Sequence, residues 1–319
     1  MDPNRAVFDP ELKAALAVVG GLFPPTVTPE LIPFMRRSYA SPARSDILAA
    51  HRIRIEDLHY PGHEGASIAA SVISPEDSAQ PLPALLIFHS GGMMFGDRFS
   101  GLDEPLQWVE RYGMRLISVE YRLAPEHPDP VPFEDCYAAL EWVGANARTL
   151  GIRTDRLAVV GASAGGGLAA GVALAARDRG GPHLCGQLLD YPMLDDRGLT
   201  ASTYAFDGVG VWDRVSNETG WAALLGGRVG GEEVSAYAAP ARAEDLSGLP
   251  PTFLSVGGAE IFRDETVAYA QALWEAGVET ELHVWPGAFH ACDIFAPHAS
   301  ISRAMIHARR DWVERTLAR

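Results

Sequence analysis

Residues 158–168 read Ala158-Val159-Val160-Gly161-Ala162-Ser163-Ala164-Gly165-Gly166-Gly167-Leu168, an apolar run that breaks into glycines and then into an alanine-rich stretch. The pattern predicts a strand, a tight turn and a helix. Two chemistries use that geometry. One lays a phosphate on the backbone N–H groups of the turn, and the other raises a nucleophilic serine above a sheet. A phosphate-binding P-loop needs lysine and then Ser or Thr after G-x-x-x-x-G. Gly161 and Gly166 have that spacing, but Gly167 and Leu168 follow. A dinucleotide turn needs G-x-G-x-x-G directly after the strand, and Ser163 stands at the second glycine. Gly165-x-Gly167-x-x-Ala170 fits the pattern only where the helix is already running. The stretch also satisfies G-x-S-x-G as Gly161-Ala162-Ser163-Ala164-Gly165, which makes Ser163 a candidate nucleophile. Alone, the motif is equally a serine N-cap opening a helix.

Working outward, short apolar runs alternate with helical patterns from about residue 84. ALLIFHS (84–90), RLISVEYR (115–122), RLAVVGAS (156–163), GQLLDYP (186–192), TFLSVGG (252–258) and TELHVWPG (280–287) read as strands. Most are continuous apolar runs, as expected of a parallel sheet covered on both faces. TELHVW alternates and is expected at an edge, with His283 on its polar side. Helical patterns cover 104–112, 133–147, 165–178, 264–277 and 299–317. This alternation predicts an α/β fold, a doubly wound and mostly parallel sheet with helices on both faces. Residues 51–60 and 67–74 are expected to form an antiparallel hairpin at one edge. Residues 1–50, with helical runs but no strand, and 195–240, with Trp212 and Trp221, break the rhythm. Insertions beyond the carboxyl ends of strands sit where such sheets bind ligands. The expected organisation is therefore an N-terminal cap segment (1–50), a catalytic unit (51–194 and 241–319) and a cap insert (195–240).

The chain has 319 residues, 47% hydrophobic and 21% charged, with a formal net charge of −15. That acidity argues against a nucleic-acid partner and against an anionic membrane surface, because both need clustered cations. Cys136, Cys185 and Cys292 form no C-x-x-C pair and are expected to be reduced thiols. No basic and then apolar leader opens the chain, and no apolar run reaches the roughly 18 residues of a membrane span. A cytoplasmic protein is expected. There is no H-E-x-x-H motif and no clustered His/Cys spacing, so neither a metal nor a cofactor is expected.

A serine hydroxyl attacks only when a base takes its proton, and that base is oriented by a carboxylate. In α/β-hydrolase order the acid and then the histidine follow the serine. Of ten histidines, His283, His290, His298 and His307 lie late in the chain. His290 follows PGAF in the loop after the last strand, where a base should project. Glu260, Asp264 and Glu265 all follow TFLSVGG. Asp264 and Glu265 fall in the first turn of the next helix, where acids complement the dipole, so Glu260 is the favoured partner. Ala164, just after the nucleophile, and the loop His89-Ser90-Gly91-Gly92-Met93 are placed to donate N–H groups to an oxyanion. Met93 and Trp212 are candidate pocket residues.

With these motifs in order, the chain resembles the bacterial hormone-sensitive-lipase family of esterases. The resemblance rests on HSGGMMFGD (89–97), YRLAPEHPDPVPFEDCYAALEWV (121–143), DRLAVVGASAGGGLAA (155–170), LPPTFLSVGGAEIFRDE (249–265) and GAFH (287–290). It implies an α/β-hydrolase fold with a helical cap. It also implies Ser163 as nucleophile, His290 as base and Glu260 as acid, where the family usually has aspartate. Gly91, Gly92 and Ala164 would provide the oxyanion amides, with His89 orienting the loop. Three departures stand out: Ser90 for the first glycine of H-G-G-G, Ala162 for the acid of G-D-S-A-G, and Glu260 itself. Asp190, inside an apolar strand, has no assigned role. Family members often dimerise, so a homodimer is an expectation.

The leading functional expectation is a serine carboxylesterase acting on small or short-chain acyl esters through an acyl-enzyme. The same site could serve an amidase, lactonase or carbamate hydrolase, because specificity lives in the cap pocket. A third class is a non-catalytic ligand-binding protein on this scaffold.

Overall fold

In the computed structural model, which describes residues 7–21, 23–39, 41–77 and 81–318, eight strands form one sheet. They are β1 (Ile53–Pro61), β2 (Ser67–Pro75), β3 (Leu82–Phe88), β4 (Arg115–Val119), β5 (Ile152–Ala162), β6 (Gly186–Asp190), β7 (Thr252–Gly257) and β8 (Thr280–Trp285), in the order β1-β2-β4-β3-β5-β6-β7-β8. The β1/β2 hairpin pairs antiparallel and β2 joins β4 antiparallel. Every other pairing is parallel. The edge hairpin and the alternating edge strand β8 stand where the sequence placed them. The apolar runs of β3, β5, β6 and β7 are buried on both faces, as parallel strands under helices must be.

The helices are α1 (Pro10–Val19), α2 (Ile32–Ser38), α3 (Arg44–Ala50), α4 (Asp103–Tyr112), α5 (Val131–Ala145), α6 (Ala164–Asp178), α7 (Ala201–Ala205), α8 (Arg214–Leu225), α9 (Arg263–Glu275), α10 (Cys292–Phe295) and α11 (Ser300–Val313). Helix α6 starts one residue past Ser163 and is buried from Ala164 to Ala176. Its run of Ala and Gly lets it lie close against the sheet. Gly165 makes the approach possible, since a Cβ there would come within 2.0 Å of the Phe88 carbonyl oxygen. Two buried apolar clusters flank the sheet: one includes Phe133, Leu168 and Leu254, the other Leu106, Trp108 and Trp312. Helices α3, α7, α8 and α10 fall outside the strand–helix alternation that the sequence pattern shows. Among the described residues, no helix is long and apolar enough to cross a membrane, and all three cysteines are free.

Candidate active site

The strand–turn–helix at 158–168 places Ser163 at a sharp turn with φ 55° and ψ −121°. Such a backbone costs on the order of 1–3 kcal/mol and persists only where neighbours fix it. Here Ser163 N–H donates to the Asp190 carbonyl (2.9 Å), and the Ser163 carbonyl accepts from Gly167 (3.1 Å) and Met193 (3.0 Å). The end of β6 thus laces the turn from the side. The hydroxyl has no N-cap contact with the helix. It lies 3.1 Å from His290 Nε2 instead.

His290 sits in the loop between β8 and α10, and its Nδ1 is 2.6 Å from Glu260 Oε2. The other carboxylate oxygen, Oε1, accepts the Gly257 N–H at 2.7 Å, so Glu260 folds back onto the turn that carries it. This backward fold absorbs the methylene by which glutamate exceeds aspartate. Ser163, Glu260 and His290 are all buried, Glu260 only 2% exposed. Tyr191 and Phe262 present ring edges to the imidazole at 4.8 and 5.3 Å and fix its plane. The competing acids are engaged elsewhere. Asp264 accepts from the Ser202 amide and Arg263, both at 2.7 Å, and Glu265 accepts from the Leu194 amide at 2.8 Å.

The loop after β3 supplies the other wall. Gly91 (φ 117°) and Gly92 (φ 59°) turn sharply, and their amides have no acceptor among the described residues. As the first residue of α6, Ala164 has no intrahelical partner for its N–H. Glycine is required at 92, because a Cβ there would come within 2.3 Å of Trp212. His89 is buried, and burial pushes its pKa down, so the ring is neutral. Its Nδ1 faces the Ser90 carbonyl at 2.8 Å, which fixes the proton on Nδ1. Tyr121 stacks on the ring at 4.1 Å and donates its hydroxyl to the His89 carbonyl. His89 therefore ties the loop to its own backbone and is not among the residues lining the pocket above Ser163.

A narrow cavity of ≈ 50 Å³ stands over Ser163 and His290, lined by Gly91, Gly92, Phe95, Trp212 and Phe295, among others. Phe23, Val27, Met35 and Tyr39 from the first fifty residues also line it. Trp212 lines this cavity. Met93 does not: its side chain is buried, its backbone has φ 65°, and its carbonyl accepts from Ala124, so the chain turns it away from the cavity. Ser90, the residue that departs from the family loop, meets the Tyr39 hydroxyl at 3.0 Å. No local signal in the sequence pairs residues 51 positions apart, and neither Tyr39 nor Tyr191 lies in a pattern that marks it as part of a site.

A family model described as alpha/beta hydrolase fold matches residues 85–294. The chain belongs to the hormone-sensitive-lipase family of α/β hydrolases. It is 39% identical over 256 residues to Carboxylesterase NlhH of Mycobacterium tuberculosis, covering 76% of this chain and 77% of that one. Esterase LipI of the same organism is 37% identical over 235 residues, 72% of each chain. Among solved structures, a bacterial heroin esterase superposes with a TM-score of 0.89 at 38% identity, covering 98% of each chain. These relatives make this family member a carboxylesterase, a hydrolase of the serine type.

Proposed function

We propose that this carboxylesterase cleaves small acyl esters through a covalent acyl-enzyme on Ser163. One observation carries the reading: a buried hydrogen-bonded chain from Ser163 Oγ through both nitrogens of His290 to Glu260, at 3.1 and 2.6 Å. His290 Nε2 takes the hydroxyl proton as Ser163 Oγ bonds to the ester carbonyl carbon. The negative charge that develops on the carbonyl oxygen falls to the amides of Gly91, Gly92 and Ala164, a contribution of several kcal/mol in comparable sites. His290 then returns the proton to the departing alkoxide, leaving an acyl-serine and an alcohol. Water then bonds to the acyl carbon as His290 takes its proton, the bond from that carbon to Ser163 Oγ breaks to release the acid, and His290 returns the proton to Ser163 Oγ. Glu260 holds the Nδ1 proton throughout and balances the transient imidazolium.

The narrow apolar cavity supports an acetyl-sized or slightly longer acyl group. Residues 1–50 and 195–240 form a cap in this reading, since Phe23, Met35, Tyr39, Val211 and Trp212 all face the pocket. The test is hydrolysis of p-nitrophenyl acetate by Ser163→Ala protein of unchanged circular dichroism, beside matched amide and lactone substrates. Turnover should vanish in the variant, and the ester should be the preferred substrate of the wild type. Full turnover by the variant would refute Ser163 as nucleophile.

A further inference from the structure

Behind the turn that carries Ser163, on the side of the sheet covered by α4 and α11, lies a second and larger chamber of ≈ 420 Å³. It shares only Ser90, Tyr191 and Ile294 with the catalytic pocket, and Ser163 does not line it. Its mouth lies beside the exposed residues Gly101, Asp103 and Gln107. A single water occupies about 30 Å³ of liquid, so the chamber has room for an organic molecule. Ala162 lines it, directly across the β5/β6 ladder from Asp190, and its single methyl leaves the space open.

The walls are charged and incompletely satisfied. Arg309 binds Asp190 (2.7 Å), Asp293 (2.6 Å) and Glu104 (2.8 Å), and Arg310 lies 3.4 Å from Glu104. Three carboxylates thus face two guanidinium groups. Among the described residues, Asp190 Oδ1, Asp293 Oδ1 and Glu104 Oε1 have no hydrogen-bond partner, and neither do His89 Nε2, Trp108 Nε1 and Arg309 Nε. All six belong to residues that line the chamber, and all but Glu104 are buried. Because the His89 proton is fixed on Nδ1, its Nε2 is a bare acceptor. The unmet acceptors are therefore three carboxylate oxygens and an imidazole nitrogen, against two unmet donors. Burial first, and then Asp190 and Asp293, push the Glu104 carboxyl up to about 7 despite Arg309, as expected where negative charge is undercompensated.

An excess of buried acceptors with surplus negative charge is satisfied by a ligand that brings N–H donors and a positive charge. Among the described residues, no group of His, Cys, Asp and Glu is arranged to hold a metal ion. We propose that this chamber is a second ligand site and that it binds a small organic ammonium ion. The ammonium group sits beside Asp190 and Asp293, the two carboxylates that share Arg309, and the organic part lies toward Trp108.

Calorimetric titration of the intact protein with propylammonium, beside its neutral counterpart propanol, tests this directly. Propylammonium should bind in the millimolar range or tighter and propanol should not. At about pH 8, where the Glu104 carboxyl is ionised, loss of its charge in Glu104→Gln should weaken binding about tenfold or more, since one charge interaction at intermediate dielectric is worth at least that. Binding should persist after Ser163 is blocked by a fluorophosphonate, which separates this chamber from the catalytic pocket. If blocking abolishes binding, the cation was in the catalytic pocket and the proposal fails. Equal binding of cation and alcohol would show that the chamber does not select for charge, and no binding of either would mean that it holds water only; each result overturns the proposal. Those two results need no variant to fold.

Discussion

Glutamine at position 260 would have the shape of the native side chain but not its hydrogen-bonding sense. Glu260 accepts twice, from Gly257 N–H at 2.7 Å and from the imidazole at 2.6 Å. A carboxamide offers one acceptor and one donor group. With its oxygen toward Gly257, its NH₂ meets His290 Nδ1, which must then accept. The imidazole proton moves to Nε2, 3.1 Å from Ser163 Oγ, where it cannot take the serine proton. Reversing the amide restores the productive tautomer but sets NH₂ against the buried Gly257 N–H, at a cost of about 1–3 kcal/mol. Neither arrangement leaves a negative charge to balance the imidazolium. An acid-to-amide change in this position of a serine hydrolase lowers kcat by about 10⁴-fold, or about 5.5 kcal/mol of barrier. Because the reversed amide offers partial relief, Glu260→Gln is expected to lower kcat by about 10²- to 10⁴-fold with KM little changed. Initial rates on p-nitrophenyl acetate measure this, with near-ultraviolet circular dichroism to verify packing. Asp264→Asn is the control: Asp264 holds Ser202 and Arg263, not His290. Its kcat should stay at the wild-type value while its melting temperature falls. A folded Glu260→Gln enzyme retaining more than about a tenth of kcat would refute the assignment of the acid.

Two further outcomes follow from the walls of the two cavities. Trp212 closes the catalytic pocket over Gly92, so Trp212→Ala should shift the acyl-chain preference toward longer esters. Each newly accommodated methylene is worth about 0.8 kcal/mol, or roughly fourfold in kcat/KM. An unchanged chain-length profile in a folded variant would show that the indole does not set the limit. The Glu104 carboxyl, raised by burial to about 7, titrates later in the folded chain than in the unfolded one. Between the usual carboxylate range and about 7 the folded state holds a proton that the unfolded state has lost. Glu104 therefore costs stability as pH rises through that window, on the order of 3 kcal/mol in all. Glu104→Gln should match wild type in urea unfolding near about pH 5 and exceed it near about pH 8; an equal difference at both would remove Glu104 as the titrating group.

The parts of this molecule that were legible in sequence are those whose chemistry is local. The strand–turn–helix at Ser163 depends on glycines within a few residues, and the sheet depends on apolar runs. His290 and Glu260 could be chosen because a strand end must project its loop over the same edge. Asp264 and Glu265 could be set aside from helix position alone, and the structure gives both other partners. What escaped was set by pairing at long range. Tyr39 meets Ser90 across 51 residues, and Arg309 meets Asp190 across 119. Hydrophobic periodicity carries no information about either pair. Met93 was misplaced because its left-handed backbone, which sequence does not disclose for methionine, turns the side chain into the core. The role of Asp190 became visible only with Arg309 beside it.

The Tyr39–Ser90 hydrogen bond ties the floor of the pocket to its roof. Tyr39 lies directly beyond α2, its ring packs edge-on against Phe95 at 5.3 Å, and its hydroxyl holds the residue next to Gly91. The N-terminal segment that lines the pocket is therefore also hydrogen-bonded to the loop bearing the Gly91 and Gly92 amides, so wall and loop are held in place together.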